Sequence, residues 1–174
     1  FKKQFANRMC DYLNSSLSAE NVIGLVDEIT NRISFEIPRE KERWQDTMLY
    51  VPSNYRISWM KEFAVHRPSN IRKHLVEELE LNEGEQELQI DVNNLGGEVQ
   101  VNSLIINDFP WIGTYLGELL VRIEAKANVG YRFVGWKGRG VSSDSVIYVD
   151  PKETTKLIAI FKKSSSILAS QNKK

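Results

Sequence analysis

Apolar residues recur every three or four positions up to Leu81 and every second position from Gln86 onward, so the chain changes architecture midway. Phe5, Met9, Tyr12 and Leu13 share one helical face, and Asn14-Ser15-Ser16 breaks that pattern. Ser18 offers a side-chain oxygen to the free amides of a second helix, whose stripe is Val22, Val26, Ile29, Ile33 and Ile37, about four turns long. Pro38 lacks an amide hydrogen and suits the first turn of a third helix, Arg39 to Tyr50, with Trp44 and Met48 inward. After Pro52-Ser53-Asn54, the residues Ile57, Met60, Phe63 and Ala64 mark a fourth. It is predicted to stop near His66, because Pro68 cannot donate a backbone hydrogen bond and restricts what precedes it. Pro68 then opens a fifth, with Ile71, Leu75, Val76 and Leu79 buried and Glu77, Glu78 and Glu80 solvated.

In the second half, Leu88, Ile90 and Val92 alternate inward from Gln86, and Asn93-Asn94-Leu95-Gly96-Gly97 reads as a hairpin connection. Val99 and Val101 continue the alternation. Leu119, Val121, Ile123 and Ala125 resume it after an irregular loop that holds Pro110, Trp111, Gly113, Tyr115 and Gly117. Further strands are predicted at Tyr131 to Trp136, Ser145 to Val149 and Thr155 to Phe161. The reading is α+β: four to five helices over residues 1–82, a small antiparallel β-sandwich over residues 83–163, and a flexible Ser- and Lys-containing tail over 164–174.

Charge adds little to this picture. The 174 residues carry 23 basic and 23 acidic side chains, twelve of each up to Asn82 and eleven of each after it. No dense basic stretch points to nucleic acid or a membrane surface, and no apolar run approaches the ~20 residues of a bilayer span. Cys10 is the only cysteine, which excludes an internal disulfide and a thiolate cluster, and beside Met9 and Leu13 it reads as a small buried apolar residue in preference to a nucleophile. The chain opens on Phe1 and not on Met, which is expected of a trimmed product or a piece of a longer precursor.

Candidate chemistry is sparse. Gly135-Trp136-Lys137-Gly138-Arg139-Gly140 is glycine-rich and basic, but it leaves a strand and runs on to another, whereas a phosphate loop should open a helix. His66 and His74 lie eight apart across Pro68, not at the spacing a helix offers a metal. The β half has no histidine, so it contains no Ser-His-Asp set. Arg67 suits a structural ion pair with a carboxylate of a neighbouring helix. Asp108 and Glu118 would serve a hydrolase only at a separation that the sequence does not fix. The aromatic residues are the best candidates for contact: Trp111 and Tyr115, in a glycine-containing loop, either stack on a sugar or protein partner or close the sandwich. Tyr131 and Phe133 share a strand face, with Trp136 on the other unless a bulge at Gly135 rotates it.

Two patches resemble known proteins. Ser18-Ala19-Glu20-Asn21-Val22, Glu36-Ile37-Pro38-Arg39, Trp44 and Met60-Lys61-Glu62-Phe63-Ala64-Val65-His66-Arg67-Pro68, within Leu17 to Leu75, resemble the C-terminal helical region of the CotH (spore coat protein H) kinase-like family. From Gly97-Glu98-Val99-Gln100-Val101-Asn102 to Phe161 the chain is similar to a bacterial surface-repeat β module, through Ala125, Gly130-Tyr131-Arg132-Phe133, Gly135-Trp136 and Ala159-Ile160-Phe161. The resemblance implies a secreted or surface-linked, atypical protein-kinase-like parent that uses ATP and a divalent metal. The family's nucleotide-binding lysine and its metal-binding and catalytic acids lie upstream of the matching region, so none is carried onto this chain.

The expectation is a non-catalytic structural and interaction fragment of an extracytoplasmic protein, without a cofactor or metal of its own, that partners the upstream kinase-like region. The alternative is a carbohydrate- or cell-wall-binding β module that uses Trp111 and Tyr115. Protein or glycan partners are expected; nucleic acid and a membrane span are not.

Overall fold

The computed structural model describes residues 1–46, 52–138 and 142–164. Four helices come first, α1 (Lys2–Leu13), α2 (Ala19–Ile33), α3 (Ile37–Trp44) and α4 (Ser53–Glu78). Eight strands follow: β1 (Glu85–Val92), β2 (Gly97–Val101), β3 (Leu104–Ile106), β4 (Trp111–Leu116), β5 (Val121–Ala127), β6 (Tyr131–Gly138), β7 (Val146–Val149) and β8 (Lys156–Lys163). The class is α+β, helices and then a small sandwich of two four-stranded sheets ordered β4-β1-β8-β6 and β3-β2-β5-β7.

The helices start where side chains supply what the backbone lacks. Ser18 caps α2 by accepting from the Asn21 amide at 3.3 Å, and Pro38 stands in the first turn of α3, where its missing donor costs nothing. Three expectations change. The stripe assigned to one helix is split, since α2 ends at Ile33 and Ile37 begins α3. Trp44 is exposed, not inward, and Arg43 stacks over its ring at 5.2 Å; Met48 lies outside the described residues. The predicted break at His66 is absent, because α4 runs through Pro68 as one helix of 26 residues. An interior proline costs about 3 kcal/mol, and the helix continues through it with Ala64 one turn before and Arg72 one turn after both buried.

Contacts divide the chain into two compact units, Phe1–Asp11 with Leu75–Lys174, and Tyr12–His74. The boundary read at Asn82 places all the early helices together, whereas the contacts join the first eleven residues to the β strands. Ala6 and Cys10, at helical spacing on α1, are fully buried.

Within the sheets, strict alternation sets the core: Leu88 and Ile90 on β1, Val99 and Val101 on β2, Val121 and Ile123 on β5, and Leu157, Ala159 and Phe161 on β8 are each 1% exposed or less. The predicted hairpin at Asn93 to Gly97 is a crossing between sheets instead. β1 pairs with β4 antiparallel and with β8 in parallel, while β2 pairs with β3 and β5. The asparagines terminate a ladder there. Asn93 accepts from the Phe161 amide at 2.7 Å, and the side-chain amides of Asn93 and Asn94 both donate to the Phe161 carbonyl, at 3.1 and 2.9 Å. Glycine is required next, since a side chain at Gly97 would collide with the Phe161 ring and the Lys126 carbonyl. The stretch read as an irregular loop holds two strands, β3 and β4, with Gly113 packed under the ring of Trp111, where no side chain fits.

Candidate functional site

The two aromatic residues singled out by the sequence lie on β4, and their surroundings differ. Trp111 pairs in register with Ile90 and is half-buried, with its ring folded back over Gly113. Tyr115 is fully buried, so its ring offers no face to a sugar or a partner. Its hydroxyl donates to Asp11 Oδ1 at 2.9 Å. Of the two readings the sequence left open, a pair of exposed rings is therefore not assembled.

What Tyr115 reaches is a cluster that the sequence reading missed. Asp11, near the end of α1, is 2% exposed, and the β2–β3 turn closes over it. Asn102 Nδ2 donates to Oδ1 at 3.2 Å, and the amide and hydroxyl of Ser103 donate to Oδ2 at 3.2 and 2.5 Å. Asn102 takes a positive φ of 47°, a conformation asparagine tolerates better than most residues, and its Oδ1 accepts from the Arg122 amide at 2.9 Å. The carboxylate accepts from these four neutral donors and holds a turn. The one available signal was a single acid between Cys10 and the apolar Tyr12 and Leu13 near the end of a helix, which is too weak to single out.

The remaining candidates separate cleanly. Arg67 is exposed and stacks over the Phe63 ring at 5.4 Å, and no carboxylate among the described residues forms the ion pair expected of it. His66 and His74 are exposed. Glu118 is committed to capping: its carboxylate accepts from the Asn82 amide at 3.1 Å and the Asn82 side chain at 3.3 Å. Among the described residues, no group of three or more His, Cys, Asp and Glu side chains could hold a metal. Arg139 and Gly140 of the glycine-rich loop lie outside the described residues.

The Tyr12–His74 unit carries an exposed apolar surface. Val26 is buried, but Leu25, Ile29 and Ile33 on α2 and Tyr55, Trp59, Met60 and Phe63 on α4 are all exposed. A groove of about 510 Å³ runs between Val26, Ile29 and Ile33 on one wall and Ile57 and Met60 on the other. Arg56 and Glu40, paired at 2.7 Å, stand in its lining, and Lys61 pairs with Asp27 nearby on the same helices. Trp59, Phe63 and Val22 line a second hollow that shares Val26 and Met60 with the first. This arrangement can bury apolar side chains of a partner.

Comparison with protein-family models, with curated proteins and with solved structures finds no match to this chain.

Proposed function

We propose that the chain is a non-catalytic structural and interaction segment of a bacterial extracytoplasmic protein related to the CotH kinase-like family. Its helical unit docks against the kinase-like region that precedes it in the parent polypeptide. The observation that carries this reading is the exposed apolar surface of the Tyr12–His74 unit, where Trp59 and Phe63 are 55% and 61% exposed one turn apart on α4. Solvated faces of helices are ordinarily polar, and a contiguous apolar face of this kind marks a surface that is covered in use. The likeness of the helical segments to the family's C-terminal region supplies the identity of the cover. Catalysis by the parent then rests on upstream residues, and this chain supplies the support behind them. The glycan-binding alternative gains nothing specific, because Tyr115 is buried.

The test has two steps. The intact mass of the native product is expected to exceed that of this chain, through a segment upstream of Phe1; a native product that starts at Phe1 would sink the proposal. In that longer protein, replacing Trp59 and Phe63 together by Ser should cost several kcal/mol, about 1.5–3 for each buried side chain. In the isolated chain the same change should leave the urea midpoint nearly unmoved and reduce self-association. Equal costs in both proteins would mean that nothing covers the surface.

A further inference from the structure

The β6–β8 ladder brings to one face cations that are scattered in the sequence. Arg132 stands directly opposite Lys162, and Lys137 opposite Ile158, whose neighbour two residues back is Lys156. Lys137 reaches that face only because the ladder is irregular between Phe133 and Gly135, where one extra residue shifts the alternation. Phe133 before the irregularity and Trp136 after it therefore both pack inward, opposite Phe161 and Ala159. Arg132, Lys137, Lys156 and Lys162 are left together on the outer face, all exposed.

These four cations differ from four others in this unit. Lys2, Lys126 and Lys152 pair with Glu78, Glu98 and Glu83, and Arg122 pairs with Glu124. The hydrogen bond to Glu83 holds the Lys152 ammonium above the usual lysine pKa, against the opposing effect of desolvation. No carboxylate among the described residues pairs with Arg132, Lys137, Lys156 or Lys162. Like charges directly opposite on a ladder repel, so the sequence keeps an arrangement that works against the fold. Lys137, Lys156 and Ile158 line a common hollow of about 470 Å³, together with Lys152 and the carboxylate of Glu153. Two cationic groups result, roughly 13 to 20 Å apart along β8, with the half-buried Ile158 and Ile160 between them and Asp91 of β1 beside Ile158.

We propose that this face binds a linear polymer of phosphate groups that carries no bases. Charge complementarity fixes an anion, and the two separated clusters call for charges repeated along a chain. An Arg and a Lys side by side offer a phosphate oxygen set both a planar fork and a point charge. Single-stranded nucleic acid would need rings to stack on, and the aromatic side chains of this ladder face inward.

The test is titration of the whole chain with inorganic polyphosphate at increasing salt, followed by calorimetry. Saturable binding is expected, with an association constant that falls as a power of salt concentration. In R132Q/K162Q, affinity should drop roughly tenfold, and the salt slope should flatten by about 1.5. K126Q, whose lysine lies on β5 beside Glu98, should bind as the parent chain does. The double variant should melt no lower than the parent, because a repulsive pair has been removed, so lost binding would not reflect lost folding. Absence of saturable binding, or unchanged affinity in R132Q/K162Q, would overturn the proposal. So would equal affinity for poly-L-glutamate, which would assign the face to acidic peptides, or tighter binding of single-stranded DNA.

Discussion

Trp136→Ala is expected to destabilise the β unit by about 3–5 kcal/mol, the range for removing a fully buried large aromatic side chain. Trp136 is 1% exposed and the largest of the fully buried side chains. Its ring meets Phe133 edge-on at 5.4 Å, and Phe133 in turn meets Phe161 at 5.8 Å, so the indole is one end of an aromatic row across β6 and β8. Its Nε1–H donates to the Asp144 carbonyl at 3.0 Å, and its backbone amide donates to the Ser142 carbonyl at 2.8 Å, which ties the segment after β6 back onto that strand. Relaxation around the deletion is limited, because Gly135, at φ 153°, sits so close to Ser142 that an added Cβ would lie 2.8 Å from its carbonyl oxygen. Trp136→Phe should cost less, about 1–2 kcal/mol, since it keeps most of the ring and loses the one hydrogen bond. Urea unfolding at equilibrium would decide. An alanine variant within 1 kcal/mol of the parent would mean that the row contributes little.

That tryptophan also marks how far the sequence could be read. Alternation places Tyr131 and Phe133 inside and leaves Trp136 dependent on a bulge at Gly135, and the bulge is there. Local periodicity is thus enough for strands that obey it, and a glycine beside an aromatic out of phase is enough to suspect an extra residue. β4 was lost for the opposite reason. Trp111 to Leu116 alternates, but Pro110, Gly113 and Gly117 read as breakers, and only the pairing with β1 reveals that Gly113 makes room for the Trp111 ring. The crossing at Asn93 was lost because the parallel β1–β8 pairing joins segments some sixty residues apart, which no local signal reports. In α4 the helix continues through Pro68, with buried residues a turn to either side, where a rule about local backbone bonds predicts a stop. The outer face of β6 and β8 was hidden by neutrality: with equal numbers of acids and bases, only register decides where the unpaired cations meet.

Asp11→Ala should cost about 3 kcal/mol, and the cost should fall on the β unit even though the residue belongs to the first helix. Four donors converge on the carboxylate from Tyr115, Asn102 and Ser103, and hydrogen bonds to a charged group contribute about 1.5–3 kcal/mol each before desolvation is counted. Removing the carboxylate takes the acceptor from a Tyr115 hydroxyl that is wholly buried, at a penalty of about 1–3 kcal/mol. The Ser103 and Asn102 donors sit nearer the surface, and water can replace part of what they lose. Tyr115→Phe supplies the complementary deletion, because it keeps the ring that fills the core and removes only the donor. In a double-mutant cycle the D11A/Y115F protein should be less destabilised than the two single costs combined, by about 1–2 kcal/mol, since the second deletion removes a hydroxyl already stranded by the first. Simple additivity would show that the Tyr115–Asp11 bond carries no net energy and that Asp11 acts through the turn alone. Coupling would show that α1, through Asp11, is part of the interior of the β unit, as the burial of Ala6 and Cys10 on the same helix requires.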